Sequence, residues 1–497
     1  MPTRVDVAII GGGIAGLCMA DQLRRDSPDV VVRLYEASDR AGGKLLTERI
    51  DTDDGPFIIE AGADAWLAQK PWASALIADL GLADQVIPIA RLPRPVAILK
   101  GGRLVDLPEG VSLIAPTRLW PLLRSRLLSP RGKLRAASDL VIRPRAGKTD
   151  ESLGAFVERR LGHEARDLIA EPIAAGISNA DPDRLSLLAT FPQLRTLERE
   201  HGSVIRGLRQ SRSREVEKSR IEILPSRLVA GERRWFRPNA ALSLLRGTGR
   251  LPSAPTERPP TFLALRDGMG TLVDALVERV GDSVETGAAI SGIAANVDGG
   301  FRLGFADRPD VQTDQIVLTV PAADAAGLLR EVAPQAAVWL RELRAVHAGT
   351  ISLAYRAADI PRPLPGYGLV IPKREGRAIN AVTVASRKFA GRAPSGWELL
   401  RVFFGGYRSP ATMELDDAAL LETVSVELRE ILGITAAPHF HRIHRWPAGS
   451  PQYDVGHLER IEAIEMALPA GISLIGSSYR GVGIPDVIRA AWEASGR

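Results

Sequence analysis

The sequence is poor in cysteine, in aromatic residues and in long hydrophobic runs. Its 497 residues include one cysteine, Cys18, so no disulfide can form within the chain and a reducing, cytoplasmic setting is expected. Aromatic residues make up only 5% of the chain and no basic stripe accompanies them, so nucleic acid is not an expected partner. The uncharged stretch 7–20 contains glycines and is too short to span a bilayer, and no signal segment is predicted.

The length and charge of the chain describe a globular protein of several domains. A chain of 497 residues exceeds one ordinary core, and 45% hydrophobic with 25% charged residues is typical of a folded protein. The formal net charge of +5 is spread over the sequence without long blocks of one sign. This balance suits an anionic small molecule or an anionic membrane surface.

The most specific pattern lies near the N-terminus. An apolar run ends in glycines at Gly11, Gly13 and Gly16, a helical pattern follows, and a second apolar run ends at Glu36. Gly11 permits a tight turn, Gly13 lets the backbone approach a pyrophosphate, and Gly16 lets the helix pack against the strand. The pyrophosphate would bind free N–H groups at the helix start, and Glu36 would accept hydrogen bonds from the ribose hydroxyls. The sequence therefore predicts a dinucleotide-binding βαβ unit.

The residues after Glu36 favour FAD over NAD. Two cations, Arg40 and Lys44, enclose the glycine pair 42–43. The glycines can let the backbone pass close to a bulky ligand, and the cations can meet its phosphates, whereas a plain turn with solvated charges is the alternative. This stretch resembles the amine oxidase and protoporphyrinogen oxidase superfamily of flavoproteins, in which an ExxxRxGGK-like segment lies along FAD.

Motifs in the middle of the chain carry a narrower resemblance. Residues 151–162, ESLGAFVERRLG, are similar to the ESxxxFxxRRxG element of oxygen-dependent porphyrinogen oxidases. The segments 171–177, 185–186 and 197–203 continue the family's order of short motifs. Most of these positions are structural, so they identify the family without being its chemistry.

The C-terminal part supplies the distant half of the same site. Residues 446–457 resemble a WxxxxPQYxxGH element, and Trp446 is expected near the flavin. An apolar strand ends in a glycine turn within 472–486, which would direct N–H groups toward the flavin ring or its ribityl chain. Ile290 takes the position of the family's apolar contact to the adenine.

The resemblance implies an α/β fold with a Rossmann-like FAD-binding domain, an inserted mixed-sheet substrate domain and a helical subdomain. The expected domain boundaries are 1–90, 262–300 and 440–497 for FAD binding, 91–110, 206–261 and 301–439 for the substrate, and 111–205 for the helical subdomain. Within that subdomain, residues 118–128 mix leucine and Trp120 with arginine. They are predicted either to contact a membrane interface or to pack in the core.

One set of residues is expected to bind FAD non-covalently: Gly11, Gly12, Gly13, Ile14, Ala15, Gly16, Glu36, Ala37, Arg40, Gly43, Lys44, Gly62, Ala63, Asp64, Ile290, Trp446, Gly476, Val482, Gly483 and Ile484. By alignment with the family, Arg94 is expected to meet a substrate propionate, a solvent-facing arginine being the alternative. Tyr367 can touch the substrate or stand half-buried in the sheet. No general base is assigned.

Three histidines suggest a metal site that the spacing does not support. His439 and His441 would share one face of a strand, but His444 would not. No cysteine or carboxylate pattern completes the set, so no metal is expected.

The resemblance implies the six-electron oxidation of a porphyrinogen, either coproporphyrinogen III or protoporphyrinogen IX, in three rounds at one flavin. O2 would be the acceptor and H2O2 the product, and a homodimer and peripheral membrane contact are further expectations. The alternatives are a flavin amine oxidase, a carotenoid desaturase and a non-catalytic FAD-fold scaffold. An amine oxidase is expected to have an aromatic pair around the amine near the C-terminal turn. Arg480 lies in this turn and is predicted to disfavour a cationic substrate.

Overall fold

The computed structural model describes residues 3–93, 96–108, 111–112, 115–116, 124–147, 149–210 and 260–495. The strands in chain order are β1 Thr3–Ile10, β2 Val32–Tyr35, β3 Thr47–Thr52, β4 Gly55–Glu60, β5 Trp66–Leu67, β6 Val86–Pro88, β7 Ala97–Lys100, β8 Arg103–Asp106, β9 Val111–Ser112, β10 Ala115–Pro116, β11 Phe262–Leu265, β12 Val284–Glu285, β13 Ile290–Ala295, β14 Phe301–Phe305, β15 Val311–Leu318, β16 Ala345–Arg356, β17 Gly368–Val370, β18 Ile379–Val384, β19 Trp397–Gly405, β20 Phe440–Pro451 and β21 Ile472–Leu474.

The α-helices are α1 Ile14–Asp26, α2 Pro71–Asp79, α3 Pro130–Ala137, α4 Leu153–Leu161, α5 His163–Ala165, α6 Glu171–Ser178, α7 Leu187–Thr190, α8 Pro192–His201, α9 Gly270–Val280, α10 Ala322–Leu328, α11 Pro334–Glu342, α12 Ala385–Lys388, α13 Asp417–Leu432, α14 His457–Met466 and α15 Ile484–Ser495. Among the helices in these ranges, none is long and apolar enough to cross a bilayer.

The first sheet has the strand order β12-β2-β1-β15-β14-β13, and β21 pairs with β15. The strands β12, β2, β1, β15 and β21 run parallel, and β13 and β14 are antiparallel. Helices α1, α9 and α15 cover one face, and α10, α11 and α14 cover the other. Because both faces are buried, the second half of β1, residues 7–10, is an unbroken apolar run. The carboxyl ends of these parallel strands form the edge at which α/β sheets bind ligands.

The last strand brings the two ends of the chain together in the first sheet. β21 follows residue 470 in sequence, yet it lies two strands from β1 because both pair with β15. Residues 301–318, which the sequence analysis assigned to the substrate-binding part, form β14 and β15 of this sheet.

The second sheet has the order β20-β16-β19-β18-β17-β7-β8 and is mixed, since β17 and β7 pair in parallel and the other neighbours are antiparallel. Helix α13 packs on one face, where Val424 and Leu428 share a buried hydrophobic cluster with Leu400 and Val402. The opposite face carries Leu399, which packs toward the β3–β4 hairpin. The predicted α/β fold with a mixed second sheet is confirmed.

The helices between residues 130 and 201 surround their own core, and a buried ionic network closes it. Arg160, from the predicted RR pair, is fully buried and its Nε donates to Asp139 Oδ1 at 2.5 Å. It also lies 3.5 Å from Glu198, to which the neighbouring Arg159 donates at 2.6 Å. The motif is therefore structural, as the sequence indicated. Residues 118–123, including Trp120, lie outside the described residues, so membrane contact stays a prediction.

We expect Arg160→Met to lower the free energy of unfolding by about 3–5 kcal/mol, because it leaves buried carboxylates without their partner. Arg302 pairs with Asp310 at the surface, so Arg302→Met should cost less than about 1 kcal/mol. Urea unfolding followed by circular dichroism measures both. Equal losses in the two variants would contradict the buried network.

Candidate functional site

The glycine loop lies at the carboxyl end of β1 and leads into α1. Gly11 has φ +110°, and a Cβ on Gly16 would come within 2.0 Å of the Gly11 carbonyl oxygen. A Cβ on Gly13 would meet no atom within 4 Å. No side chain caps α1 and its first turn, which includes Ile14 and Ala15, contains no acidic residue. The loop therefore leaves open space and free N–H groups for an anion, which fits the pyrophosphate of FAD.

Glu36 lies at the end of β2, beside the glycine loop. Its carboxylate accepts hydrogen bonds from the Gly12 N–H at 2.6 Å and from the Ser38 N–H at 2.9 Å. The Glu36 carbonyl accepts from the Ala288 N–H at 2.8 Å, which draws the start of β13 with half-buried Ile290 toward this edge. Ala37 is exposed.

The glycine pair after Glu36 packs directly on the loop. The Gly42 N–H donates to the Gly12 carbonyl at 2.7 Å, and a Cβ on Gly43 would lie 3.3 Å from the Cα of Gly13. Arg40, which was predicted to meet a phosphate, donates to the carbonyls of Ala41 at 3.1 Å and Gly43 at 2.6 Å. Its guanidinium therefore holds the turn in shape.

Lys44 follows this turn and is half-buried. Burial lowers the pKa of its ammonium, and no carboxylate of the described residues offsets that shift. A cation in this position, without an acid of its own, fits an anionic cofactor.

Residues 61–64 form the next layer of the site. A Cβ on Gly62 would lie 1.8 Å from the Lys44 carbonyl oxygen, so the two backbones are in contact. Ala63 is exposed, and Asp64 accepts a hydrogen bond from Lys388 at 2.7 Å. Burial raises the pKa of Asp64, but Lys388 and Arg401 outweigh it, so that its pKa lies below the ordinary value. Asp64 is therefore a paired carboxylate within this layer.

Residues 476–484 form the C-terminal turn, which completes the predicted FAD site. A Cβ on Gly476 would lie 3.9 Å from that of Ala15, so the turn rests on the first turn of α1. Val482 is 38% exposed, Gly483 is half-buried, and Ile484 begins α15 in the core. These residues lie at the same edge as the glycine loop.

Two residues outside the predicted FAD-binding set hold this turn. The Tyr453 hydroxyl donates to the Ser477 carbonyl and accepts from the Gly481 N–H, both at 2.8 Å. The His457 ring stacks on Tyr453 at 3.9 Å, and its Nε2 lies 2.7 Å from the Tyr479 carbonyl. Burial raises the pKa of Tyr453, so the hydroxyl keeps its proton. Tyr453 and His457 of the PQYxxGH motif thus support the backbone of the C-terminal turn, whereas Trp446 lies on β20.

Trp446 contacts the 61–64 layer instead of the C-terminal turn. Its Nε1 donates to the Ala61 carbonyl at 3.0 Å. The contact joins β20 of the second sheet to the segment that follows β4. Trp446 thus connects the predicted flavin site to the second sheet.

Arg480 is exposed, and its Nη2 pairs with Glu465 at 2.6 Å. This carboxylate offsets its charge, and the repulsion of a cationic substrate by Arg480 stays a prediction. Its neighbour Tyr479 is buried, and the phenol donates to the Val320 carbonyl at 3.0 Å. Tyr479 is therefore not available as one half of an aromatic pair around an amine.

The predicted substrate residues are only partly described. Tyr367 is half-buried just before β17, and burial raises the pKa of its phenol. Arg94 lies outside the described residues. Among the described residues, no three metal-ligating side chains gather, and His444 instead contacts Glu48 at 2.7 Å.

We expect Gly13→Ala to weaken FAD binding about tenfold to a hundredfold, equivalent to about 1.4–2.8 kcal/mol, because the new methyl group occupies the space left for the pyrophosphate. The unfolding of the FAD-free protein should not change, since that methyl group meets no protein atom. Gly327→Ala is the matched control, because its Cβ also meets nothing within 4 Å and it lies in α10, outside the predicted FAD-binding set. Fluorescence titration with FAD measures the affinities, and unchanged affinity in Gly13→Ala would contradict the assignment.

We expect the stability of the folded protein to fall as the pH drops below about 6.5, in part through His457. Burial, with Arg460 and Arg480, holds the pKa of His457 below its ordinary value. The unfolded chain therefore binds the proton more readily, and the contribution is present above about pH 6.5 and lost below it. His457→Gln should flatten the pH dependence of the melting temperature over this window. An unchanged slope would show that His457 does not titrate as described.

Comparisons with known proteins agree with this geometry. Residues 14–497 match the family described as flavin containing amine oxidoreductase. The chain is 35% identical over 496 residues to the coproporphyrinogen III oxidase of Propionibacterium freudenreichii subsp. freudenreichii, covering 98% of this chain and 89% of that protein. It is 30% identical over 490 residues to the coproporphyrinogen III oxidase of Bacillus subtilis (strain 168), covering 97% and 95%.

A solved structure shows the same fold over the full length. The crystal structure of a protein from Exiguobacterium sp. 255-15 superposes with a TM-score of 0.79 at 27% identity, covering 99% of this chain and 98% of that one. The chain therefore belongs to the family of flavin-containing amine oxidoreductases and is an FAD-dependent oxidoreductase.

Proposed function

We propose that this protein oxidises a porphyrinogen to the porphyrin, with coproporphyrinogen III as the preferred substrate and O2 as the electron acceptor. The observation that carries the proposal is the similarity to two coproporphyrinogen III oxidases over nearly the whole chain. That similarity spans the second sheet and the helical part as well as the first sheet. Shared cofactor binding alone does not require similarity in the other two parts.

The chemistry divides between cofactor and protein. Bound FAD supplies a two-electron acceptor, so the six-electron oxidation of one porphyrinogen takes three rounds and consumes three molecules of O2. Within the chain, the glycine loop, the 61–64 layer and the C-terminal turn orient the cofactor at one edge of the first sheet. Trp446 ties this edge to the second sheet, against which the substrate would lie. The protein thus supplies orientation, and no side chain is assigned as a general base.

The substrate side of the proposal rests on charge. A porphyrinogen carries propionates, which cations recognise. Arg94 remains our candidate for this contact, and Tyr367 our candidate for packing against the macrocycle. Homodimer formation, peripheral membrane contact and the three-part domain division stay predictions.

A flavin amine oxidase is the second candidate, because it would share the same cofactor frame. The burial of Tyr479 removes one aromatic side chain that an amine site at this turn would need. A carotenoid desaturase and a non-catalytic scaffold are distinguished by turnover alone.

The test compares coproporphyrinogen III, protoporphyrinogen IX and simple amines with the FAD-loaded protein in air. We expect fluorescent porphyrin from both porphyrinogens, a higher kcat/KM for coproporphyrinogen III, and three molecules of O2 consumed per porphyrin. The FAD-free protein is the control for spontaneous oxidation. Oxidation of amines without porphyrin formation would favour an amine oxidase, and no turnover with FAD bound would favour a scaffold.

A further inference from the structure

The Ala61 carbonyl receives hydrogen bonds from three strands of the second sheet. Its donors are Thr350 Oγ1 on β16 at 3.2 Å, Arg401 Nη2 on β19 at 3.2 Å and Trp446 Nε1 on β20 at 3.0 Å. Arg401 Nη2 also donates to the Gly62 carbonyl. Ala61 is fully buried. A carbonyl oxygen has two lone pairs, so three donors satisfy it fully. The second sheet therefore fixes the position of this carbonyl.

This point is continuous with the cofactor loop. Gly62 contacts the Lys44 carbonyl, and Gly43 contacts Gly13 at the start of α1. The backbone segments at residues 11–16, 42–44 and 61–62 therefore contact one another in turn, with no side chain between them. A shift of Ala61 would be passed to the residues that orient FAD.

Three cations, Lys388, Arg392 and Arg401, surround two carboxylates, Glu60 and Asp64, so this cluster carries one excess positive charge. Lys388 pairs with Asp64 at 2.7 Å, and Arg392 lies 3.5 Å from Glu60. Arg401 itself is 5% exposed and donates to carbonyls, and within the described part of the chain no carboxylate lies at ion-pair distance from it.

Burial lowers the pKa of the Arg401 guanidinium, yet an arginine in a protein remains a cation. Its Nε is also buried without a hydrogen-bond partner. In a site that excludes water, such a charge is weakly screened and acts on its surroundings over several ångströms.

We propose that Arg401 is a positioning residue of the FAD site and that its charge, the excess cation of a cluster with three cations and two carboxylates, makes bound FAD easier to reduce. A fixed positive charge favours the state of a neighbouring group that carries more negative charge, and reduced FAD carries more than oxidised FAD. The same guanidinium fixes Ala61 and Gly62 through their carbonyls. The inference rests on FAD binding and not on the proposed porphyrinogen, so the two can fail separately.

A series of charge changes tests the electrostatic part without any substrate. Arg401→Met and Lys388→Met each remove a cation, and both should lower the midpoint potential of bound FAD. Asp64→Asn removes an anion and should raise it. We expect each change to alter the ratio of the dissociation constants of oxidised and reduced FAD about tenfold, equivalent to about 30 mV for a two-electron couple. Anaerobic titration against a reference dye measures the potential.

Two further variants separate charge from position. Arg401→Lys keeps the cation and should retain most of the wild-type potential while weakening FAD binding, because one ammonium cannot reproduce the fork between two carbonyls. Thr350→Val removes a neutral donor to Ala61 and should leave the potential unchanged. Structural damage alone would not shift Asp64→Asn and Lys388→Met in opposite directions.

The proposal is overturned if FAD-loaded Arg401→Met has the wild-type potential. It is equally overturned if Asp64→Asn and Lys388→Met move the potential in the same direction. Should Arg401→Met fail to bind FAD, the Asp64 and Lys388 variants decide the question.

Discussion

Direct contact between backbone layers is the constraint on which the flavin site depends. Gly43 rests on Gly13, and Gly62 rests on the carbonyl of Lys44, so a side chain at either contact would separate the layers. Interiors are close-packed, and a displacement at one layer cannot be absorbed by its neighbour. The shape of the space left for FAD is therefore set by glycines that belong to three separate segments of the chain.

Contacts between the glycine loop, the turn at residues 42–44 and residues 61–64 would not by themselves fix these three segments relative to one another. The second sheet holds residue 61 in place. Three of its strands donate to the carbonyl of Ala61. On the other side of the predicted FAD site, Tyr453 and His457 hold the C-terminal turn through its backbone. The second sheet, which is predicted to carry the substrate, thus holds a segment that is predicted to bind the cofactor, and this would tie the binding of one to the geometry of the other.

The fold and the first half of the site could be predicted from the sequence because their rules are local. The spacing from Gly11 to Gly16 and the acid at the end of β2 describe one βαβ unit, in which each residue acts on its neighbours. Arg401 could not be predicted in the same way, since its partner Ala61 is 340 residues away. The sequence did contain a sign of it, because Arg401 is a charge with apolar neighbours on both sides in the stretch 399–404 of β19. The ion pair of Arg480 with Glu465 could not be predicted either, because a position near the turn does not determine the direction of a side chain.

Anaerobic mixing of the FAD-loaded protein with coproporphyrinogen III tests the central claim most directly, because it isolates the transfer of electrons from substrate to cofactor. We expect the visible absorbance of oxidised FAD to be lost at a rate no slower than aerobic turnover, and porphyrin to form only once O2 is admitted, because one flavin accepts two of the six electrons. Flavin that stays oxidised with coproporphyrinogen III and with protoporphyrinogen IX, but is bleached by a simple amine, would contradict the account.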